Sequence, residues 1–354
     1  MVIIMKLKQQ LEDNAEKALL ECLADVPFIS VRQIEKEPLD NLADLLVKLD
    51  LPDGYLFLIV EIKNCGQPRL VRNAINKLLR YKMSLNKSYP VFIAPYISPS
   101  AADLCVKEGI GYVDLAGNCR LSFGQVYINK EGKSNPFNRK RDLRSLYSPK
   151  ATRVLRALLS NPGRKWKMHA LAEESGVSLG QVSNVKTLLL NREWLNSDKE
   201  GIFLSEPEQL LSEWAENYNF RSNQAHDFYS LKPVSEIEYE LAAICDKENI
   251  QYALTGFSGA ARMAPVVRYQ RVMAYVNKKD IENVALQMNL KKVSGGANVS
   301  LLAPYDDGVF YGSKNYDLVK IAAPVQIYLD LRGVHGRGEE AAEVLLEGVI
   351  KPQW

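Results

Sequence analysis

Asp44, Glu61 and Lys63 are residues whose types and spacing could act together on a phosphate. Asp44 opens one apolar run, and Glu61 and Lys63 close the next in the tetrapeptide VEIK at residues 60–63. Two carboxylates can hold Mg²⁺ while a lysine positions or activates water beside a scissile phosphodiester. Glu61 and Lys63, two apart on a strand, share a face. Asp53 rivals Asp44 for the first position but sits in the Pro52-Asp53 turn, close to the start of the Glu61 strand; Gln67 could support such a site. The same residues also read as a salt-bridged strand end, or as an inherited site that no longer cuts, because folds outlive their chemistry.

A second set suits reading bases. Val182, Val185 and Leu189 recur at i, i+3 and i+7 and should be buried, with Ser178 as the helix N-cap. That turns Leu179, Gly180, Gln181, Ser183, Asn184 and Thr187 outward. Gln and Asn side chains pair bidentately with adenine edges, while Lys186, Arg164, Lys165 and Lys167 suit phosphates. The charge distribution agrees: residues 133–192 hold 13 Lys/Arg against 3 Asp/Glu, a local +10 within a net +3, which leaves −7 elsewhere. Arg139, Lys140 and Arg141 belong to this basic stretch, whose plainer reading is a solvated linker.

The elements that must position these residues fall into three regions. Residues 1–135 show an amphipathic helix near 6–24, a hairpin formed by runs 43–50 and 55–63, a helix at 68–83, a strand at 89–97, then a helix and a strand ending in DLAGN, where Asp114, Gly117 and Asn118 make a tight turn. Asn118 and Arg120 are near enough to join any nucleic-acid contact there. Residues 136–147 form a basic linker. In 148–206, Ser148 and Pro149 open a first helix, Gly176 ends a second, and Ala172, Gly176, Val177, Ser178 and Val182 match the helix-turn-helix pattern; residues 196–207 read as a hairpin, so the region is a winged helix-turn-helix that binds double-stranded DNA. Residues 207–354 are a further α/β region with a helix at 233–247.

Composition narrows the rest. The chain has 354 residues, 47% hydrophobic and 25% charged, an ordinary globular balance. No run approaches the roughly 20 apolar residues needed to cross a bilayer, and the start is too short for a signal peptide, so a cytoplasmic protein is expected. Five scattered cysteines without CxxC spacing suit core positions better than disulfides or zinc, and three distant histidines suggest no triad.

Asp44 followed by Glu61-x-Lys63 resembles the PD-(D/E)xK nucleases, with their restriction-endonuclease-like α/β fold; Mg²⁺ is implied only if the site cuts, and otherwise no cofactor is required. Gly256 and Ser258 in residues 252–258 resemble the opening of a nucleotidyltransferase fold, but the later strand, RVMAYV from Arg271, lacks its two carboxylates, so a degenerate, catalytically inert domain is expected. The order of parts resembles AbiEi-type antitoxins of type IV toxin–antitoxin systems, in a long form. VEIK, GIGYVDLAGN from Gly109, LTGFSGAA from Leu254 and VQIYLDLRGVHGRGEEAAEVLL from Val325 carry the resemblance, the last with Gln326, Asp330, Leu331, Gly336, Gly338 and Ala341 on a strand-to-helix unit. It implies a DNA-binding transcriptional regulator that represses its own operon and counters a toxin protein. By analogy with such regulators, a homodimer is implied. The alternatives are a Mg²⁺-dependent nuclease targeted by its winged helix, and a protein-interaction module.

Overall fold

The computed structural model describes residues 2–36, 43–134, 136, 146–264, 269–334 and 336–354. Arg139, Lys140 and Arg141 lie outside them. The chain forms two compact units, Met1–Arg139 with Leu190–Glu193, and Lys140–Leu189 with Trp194–Trp354. The regions expected at 148–206 and 207–354 thus share one unit.

In the first unit, α1 (Val2–Leu23) and β1 (Ser30–Lys36) precede the hairpin β2 (Leu45–Leu51) and β3 (Gly54–Ile62). Then come α2 (Pro68–Ser84), β4 (Ser88–Ala94), α3 (Pro99–Lys107), β5 (Gly111–Asp114), β6 (Cys119–Phe123) and β7 (Val126–Lys130). The seven strands lie side by side in chain order. β3, β4 and β5 are parallel, joined through α2 and α3, and the outer pairs are antiparallel. Alternating side chains feed two cores. Leu58 and Val60 join Leu45, Val47 and Leu49 beneath Ala15, Leu19 and Leu23 of α1. Ile59, Phe92 and Ala94 pack instead on Val71, Ala74 and Leu78 of α2 and Ala101 and Cys105 of α3. A sheet covered on both faces needs near-continuous apolar runs, which is why β3 and β4 read so strongly in the sequence. β1 is an edge strand, exposed at nearly every position, and carries no such run.

The second unit begins with α4 (Pro149–Ser160), α5 (Met168–Ser175) and α6 (Leu179–Asn191), followed by the hairpin β8 (Leu195–Ser197) and β9 (Ile202–Leu204). Val154, Leu155, Leu158, Leu171, Val182, Val185, Leu189, Ile202 and Leu204 are all buried. Gly176 closes α5 at φ +61°, a left-handed conformation that costs glycine nothing. Trp166 pairs with Ile202, tying the approach to α5 to the hairpin.

The remainder contains α7 (Pro207–Asn217), β10 (Gln224–Tyr229), α8 (Val234–Lys247), β11 (Tyr252–Leu254), α9 (Gly256–Met263), β12 (Val272–Val276), α10 (Ile281–Gln287), β13 (Lys291–Lys292), β14 (Val299–Ala303), β15 (Lys314–Tyr316), β16 (Val319–Ile321), α11 (Pro324–Arg332) and α12 (Arg337–Leu345). Its sheet runs β13-β10-β14-β12-β11-β16-β15. One face packs on Ile237, Leu241 and Cys245 of α8 and Ile281 and Val284 of α10. The segment from Val325, expected as strand then helix, is two helices. Pro324 sits in the first turn of α11, and residues 325–331 are buried all round, so they show no amphipathic period to distinguish helix from buried strand.

Candidate functional site

The antiparallel register Leu45↔Val60 brings Asp44, immediately before β2, opposite Glu61. The Asp44 amide donates to the Val60 carbonyl at 2.9 Å. Glu61 has the parity of Ile59 and so faces α2, where it is 1% exposed. A buried carboxylate needs partners. Its Oε1 accepts from Lys63, and its Oε2 accepts from Lys77 Nζ at 2.7 Å. Asp44 Oδ2 accepts from the Ile62 amide at 2.6 Å. Burial raises the Asp44 pKa above the ordinary carboxylate value; the Ile62 N–H opposes this and the Glu61 charge adds to it.

Lys77 is the member that sequence reasoning missed. It lies beside the α2 stripe of Val71, Ala74, Ile75 and Leu78, and only the packing of α2 on the sheet carries its ammonium to Glu61. Gln67 is the N-cap residue of α2. It follows Gly66, where a Cβ would lie 2.3 Å from the Tyr96 carbonyl oxygen, so only glycine fits. Asp53 occupies the far end of the hairpin, about 25 Å of extended chain from Glu61, and accepts from Gln125 at 3.4 Å. Among the described residues no group of three or more His, Cys, Asp or Glu could hold a metal. Both Glu61 oxygens and one Asp44 oxygen already accept hydrogen bonds, so a hydrated Mg²⁺, which takes one or two carboxylates and keeps several waters, would have to displace Lys63 or Lys77 to reach Glu61.

Asn118 is occupied structurally. Its Nδ2 donates to Asp114 Oδ2 at 2.9 Å and to the Lys133 carbonyl, and its Oδ1 accepts from the Lys133 amide. Arg120 lies over the Tyr127 ring at 5.7 Å.

On α6, Val182, Val185 and Leu189 are fully buried. Ser178, Leu179, Gly180, Ser183, Asn184 and Thr187 are exposed, and Gln181 and Lys186 are half-buried. Ser178 Oγ accepts from the Gln181 amide at 3.3 Å, and Thr187 donates to the Ser183 carbonyl at 2.9 Å. The basic residues before α5 are not simply free for phosphate. Lys165 Nζ pairs with Asp198 at 2.8 Å and also with Glu200, both at the hairpin tip. Lys167 Nζ donates to the Lys199 carbonyl at 2.8 Å, and the Arg164 guanidinium stacks 3.6 Å from the Trp166 ring centroid. A lysine chosen from charge density alone can already be matched by acids that are distant in sequence.

Gln326 and Asp330 form a buried polar chain with Tyr218, Thr255, Tyr275 and Arg156, the last a member of the basic stretch that is buried instead of facing phosphate. Asp330 Oδ1 accepts from Tyr218 at 2.7 Å, Tyr275 at 2.8 Å and Gln326 Nε2 at 2.9 Å, and Thr255 donates to Oδ2. Gln326 Oε1 accepts from Arg156 Nη2 at 2.5 Å, and the guanidinium stacks on Trp214 at 5.0 Å. Burial raises the Asp330 pKa to about 6 against the pull of those four donors. Arg153 grips Asp306 with two hydrogen bonds of 2.7 and 2.8 Å. Two residues of α4 are thereby bound to the α/β region. Ser258 Oγ accepts from the Met273 amide at 3.0 Å, and Arg271 pairs with Asp227 at 2.7 Å.

Residues 203–351 match the family model described as transcriptional regulator, AbiEi antitoxin, type IV toxin–antitoxin system. No curated protein matches the chain. Two solved structures show a partial likeness. One is a repair endonuclease from Pyrococcus abyssi, at 16% identity over 28% of this chain and 46% of that one, with a TM-score of 0.21. The other is an EndoMS complex with double-stranded DNA, at 19% identity over 28% and 44%, with a TM-score of 0.20. The chain spans less than half of either. No helix among the described residues is long and apolar enough to cross a membrane.

Proposed function

We propose that the protein is a DNA-binding transcriptional regulator of the AbiEi antitoxin kind, with residues 148–206 acting as a winged helix-turn-helix. The observation that carries this reading is α6, whose core side is fully buried while Ser178, Ser183, Asn184 and Thr187 face outward on a three-helix frame with a hairpin. The family match over residues 203–351 supports it. Gln181 and Asn184 read bases; Ser178, Ser183 and Thr187 assist; Lys186, Arg164 and Lys167 contact phosphates, with Arg139, Lys140 and Arg141 adding charge. Residues 207–354 are a degenerate nucleotidyltransferase-like domain that binds a toxin partner, and the chain represses its own operon as a homodimer. The test is a gel shift on DNA from upstream of the gene. A specific, salt-sensitive complex lost in the Gln181→Ala/Asn184→Ala double variant is expected, and an unchanged shift overturns the assignment of α6.

A second reading is favoured by one observation, the convergence of Asp44, buried Glu61, Lys63 and Lys77 at the end of β3. Residues 1–135 would then be a PD-(D/E)xK nuclease. Asp44 and Glu61 would hold Mg²⁺, which would supply Lewis-acid stabilisation of the phosphate, while Lys63 orients the attacking water and Lys77 holds the Glu61 carboxylate in place through its hydrogen bond. Cleavage of the same DNA only with Mg²⁺, abolished by Glu61→Ala, would establish it; a shift without cuts, identical in the variant, would leave the regulator alone.

A further inference from the structure

The face of the second sheet turned away from α8 and α10 carries a cleft of about 700 Å³, a size typical of small-molecule sites. Strand register builds its floor: Asp227, Ser300 and Met273 form one row across β10, β14 and β12, and Ala225 and Leu302 form the next. Phe220 and Phe257 stand in the walls, and Arg271 and Arg337 are at the lining. Two phenyl rings and the Met273 thioether favour a flat aromatic ring. Guanidinium groups favour a carboxylate or phosphate. Arg271 already meets Asp227, but both side chains are nearly half exposed, so that pair is weak and leaves room for a second anion.

The cleft shares its wall with the buried chain that reaches α4. Phe220 and Ala225 bracket Asn223, which is 4% exposed. Asn223 Nδ2 donates to the Phe220 carbonyl at 3.1 Å, Tyr218 at 3.2 Å and Tyr275 at 3.3 Å, and its Oδ1 accepts from the Tyr305 amide at 3.2 Å. Tyr218 and Tyr275 hold Asp330, Asp330 and Arg156 share Gln326, and Arg156 also donates to the Tyr305 hydroxyl at 3.2 Å. Buried hydrogen-bond chains tolerate little independent movement of their members, because each lost bond leaves an unsatisfied group in a medium of low dielectric constant.

We propose that this cleft is an effector site for a small aromatic anion, and that occupancy displaces Phe220 and is transmitted through Asn223, Asp330 and Gln326 to Arg156 on α4. The transmission rests on the DNA-binding reading; the site does not. A free aromatic acid and a nucleotide share the required chemistry, so the full-length protein is titrated calorimetrically with indole-3-acetate, adenosine monophosphate and neutral indole. The expected result is saturable one-site binding of at least one anion, with indole and the Arg271→Glu variant each weaker by about tenfold or more. A Met273→Trp variant, which fills the floor, should also lose binding. Binding of neither anion, or equal binding of indole, or no effect of Arg271→Glu in a variant that melts like wild type, overturns the site. Saturating ligand should then shift the affinity for upstream DNA by about fivefold or more, and the shift should vanish in Gln326→Leu. An unmoved DNA affinity overturns the transmission while the site stands. If the protein binds no DNA at all, the regulator reading and the transmission fail together, and calorimetry still decides the site.

Discussion

The ammonium of Lys165 has two carboxylates within reach, whereas Lys186 projects half-buried from α6. Lys165→Ala is therefore expected to change the salt dependence of DNA binding less than Lys186→Ala, because a lysine that must leave Asp198 and Glu200 releases fewer counterions in net. Equal slopes for the two variants would refute this. Gln181→Ala and Asn184→Ala should each weaken specific binding by about 1–3 kcal/mol if the side chain meets a base edge. Glu61 is different in kind. Glu61→Gln leaves Lys63 and Lys77 without a counter-charge, yet both lysines are over a third exposed, so the stability loss by urea unfolding should be modest, about 1–3 kcal/mol. Cys22 and Cys119, both buried, stand Sγ to Sγ at 2.8 Å. Their hydrogen bond lowers the pKa of the Cys119 thiol and raises that of Cys22. An azo oxidant such as diamide, which accepts two electrons and two protons from two thiols, should join them, and non-reducing peptide mapping should show the Cys22–Cys119 pair. Its absence under conditions that oxidise other protein dithiols would count against the juxtaposition.

At the scale of elements, the turn between α5 and α6 and the β8–β9 hairpin depend on two glycines for unlike reasons. At Gly176 an added Cβ would meet only Arg153 Nη1 at 3.8 Å, an ordinary contact, so Gly176→Ala costs just the left-handed backbone, about 1 kcal/mol. At Gly201 the Cβ would lie 2.5 Å from the Trp166 carbonyl oxygen, so Gly201→Ala must break the Trp166–Ile202 pairing that holds the hairpin. Thermal melts should rank Gly201→Ala well below Gly176→Ala, and DNA affinity should follow that rank if the hairpin touches DNA. The helices themselves were legible: Ser148-Pro149, Gly176 and the Val182, Val185, Leu189 spacing are local signals, and each lies where the structure uses it. Residues 337–345 form the helix their sequence suggests, whereas residues 325–331 read as a strand because complete burial erases the period that separates helix from strand.

For the molecule as a whole, Asp330 imposes a pH dependence. Its carboxyl titrates at about 6 in the folded chain against 3.8 for the free side chain. The folded state therefore holds a proton that the unfolded state has released between those values, and stability falls as pH rises through that window. Asp44, whose pKa is also raised, acts in the same direction. Replacing Asp330 with Asn removes the ionisation, so the difference in unfolding midpoint between variant and wild type should move in the variant's favour from pH 4 to pH 7; a constant difference would show that Asp330 does not titrate there.

The amino-acid sequence by itself determined what depends on neighbours along the chain. This includes the E-x-K pair on one strand face, the capped and glycine-terminated helices, and the apolar runs of a sheet covered on both sides. Asp44 was also within its reach, because a short hairpin fixes which residues stand opposite one another. Only the tertiary structure decided which charges meet. Lys77 comes to Glu61 through the docking of α2, Asp198 and Glu200 come to Lys165 through the hairpin, and Asp306 comes to Arg153 across 153 residues. A side chain's charge is visible in its letter. Whether that charge is free, paired or buried depends on distance and desolvation between segments that no local pattern relates.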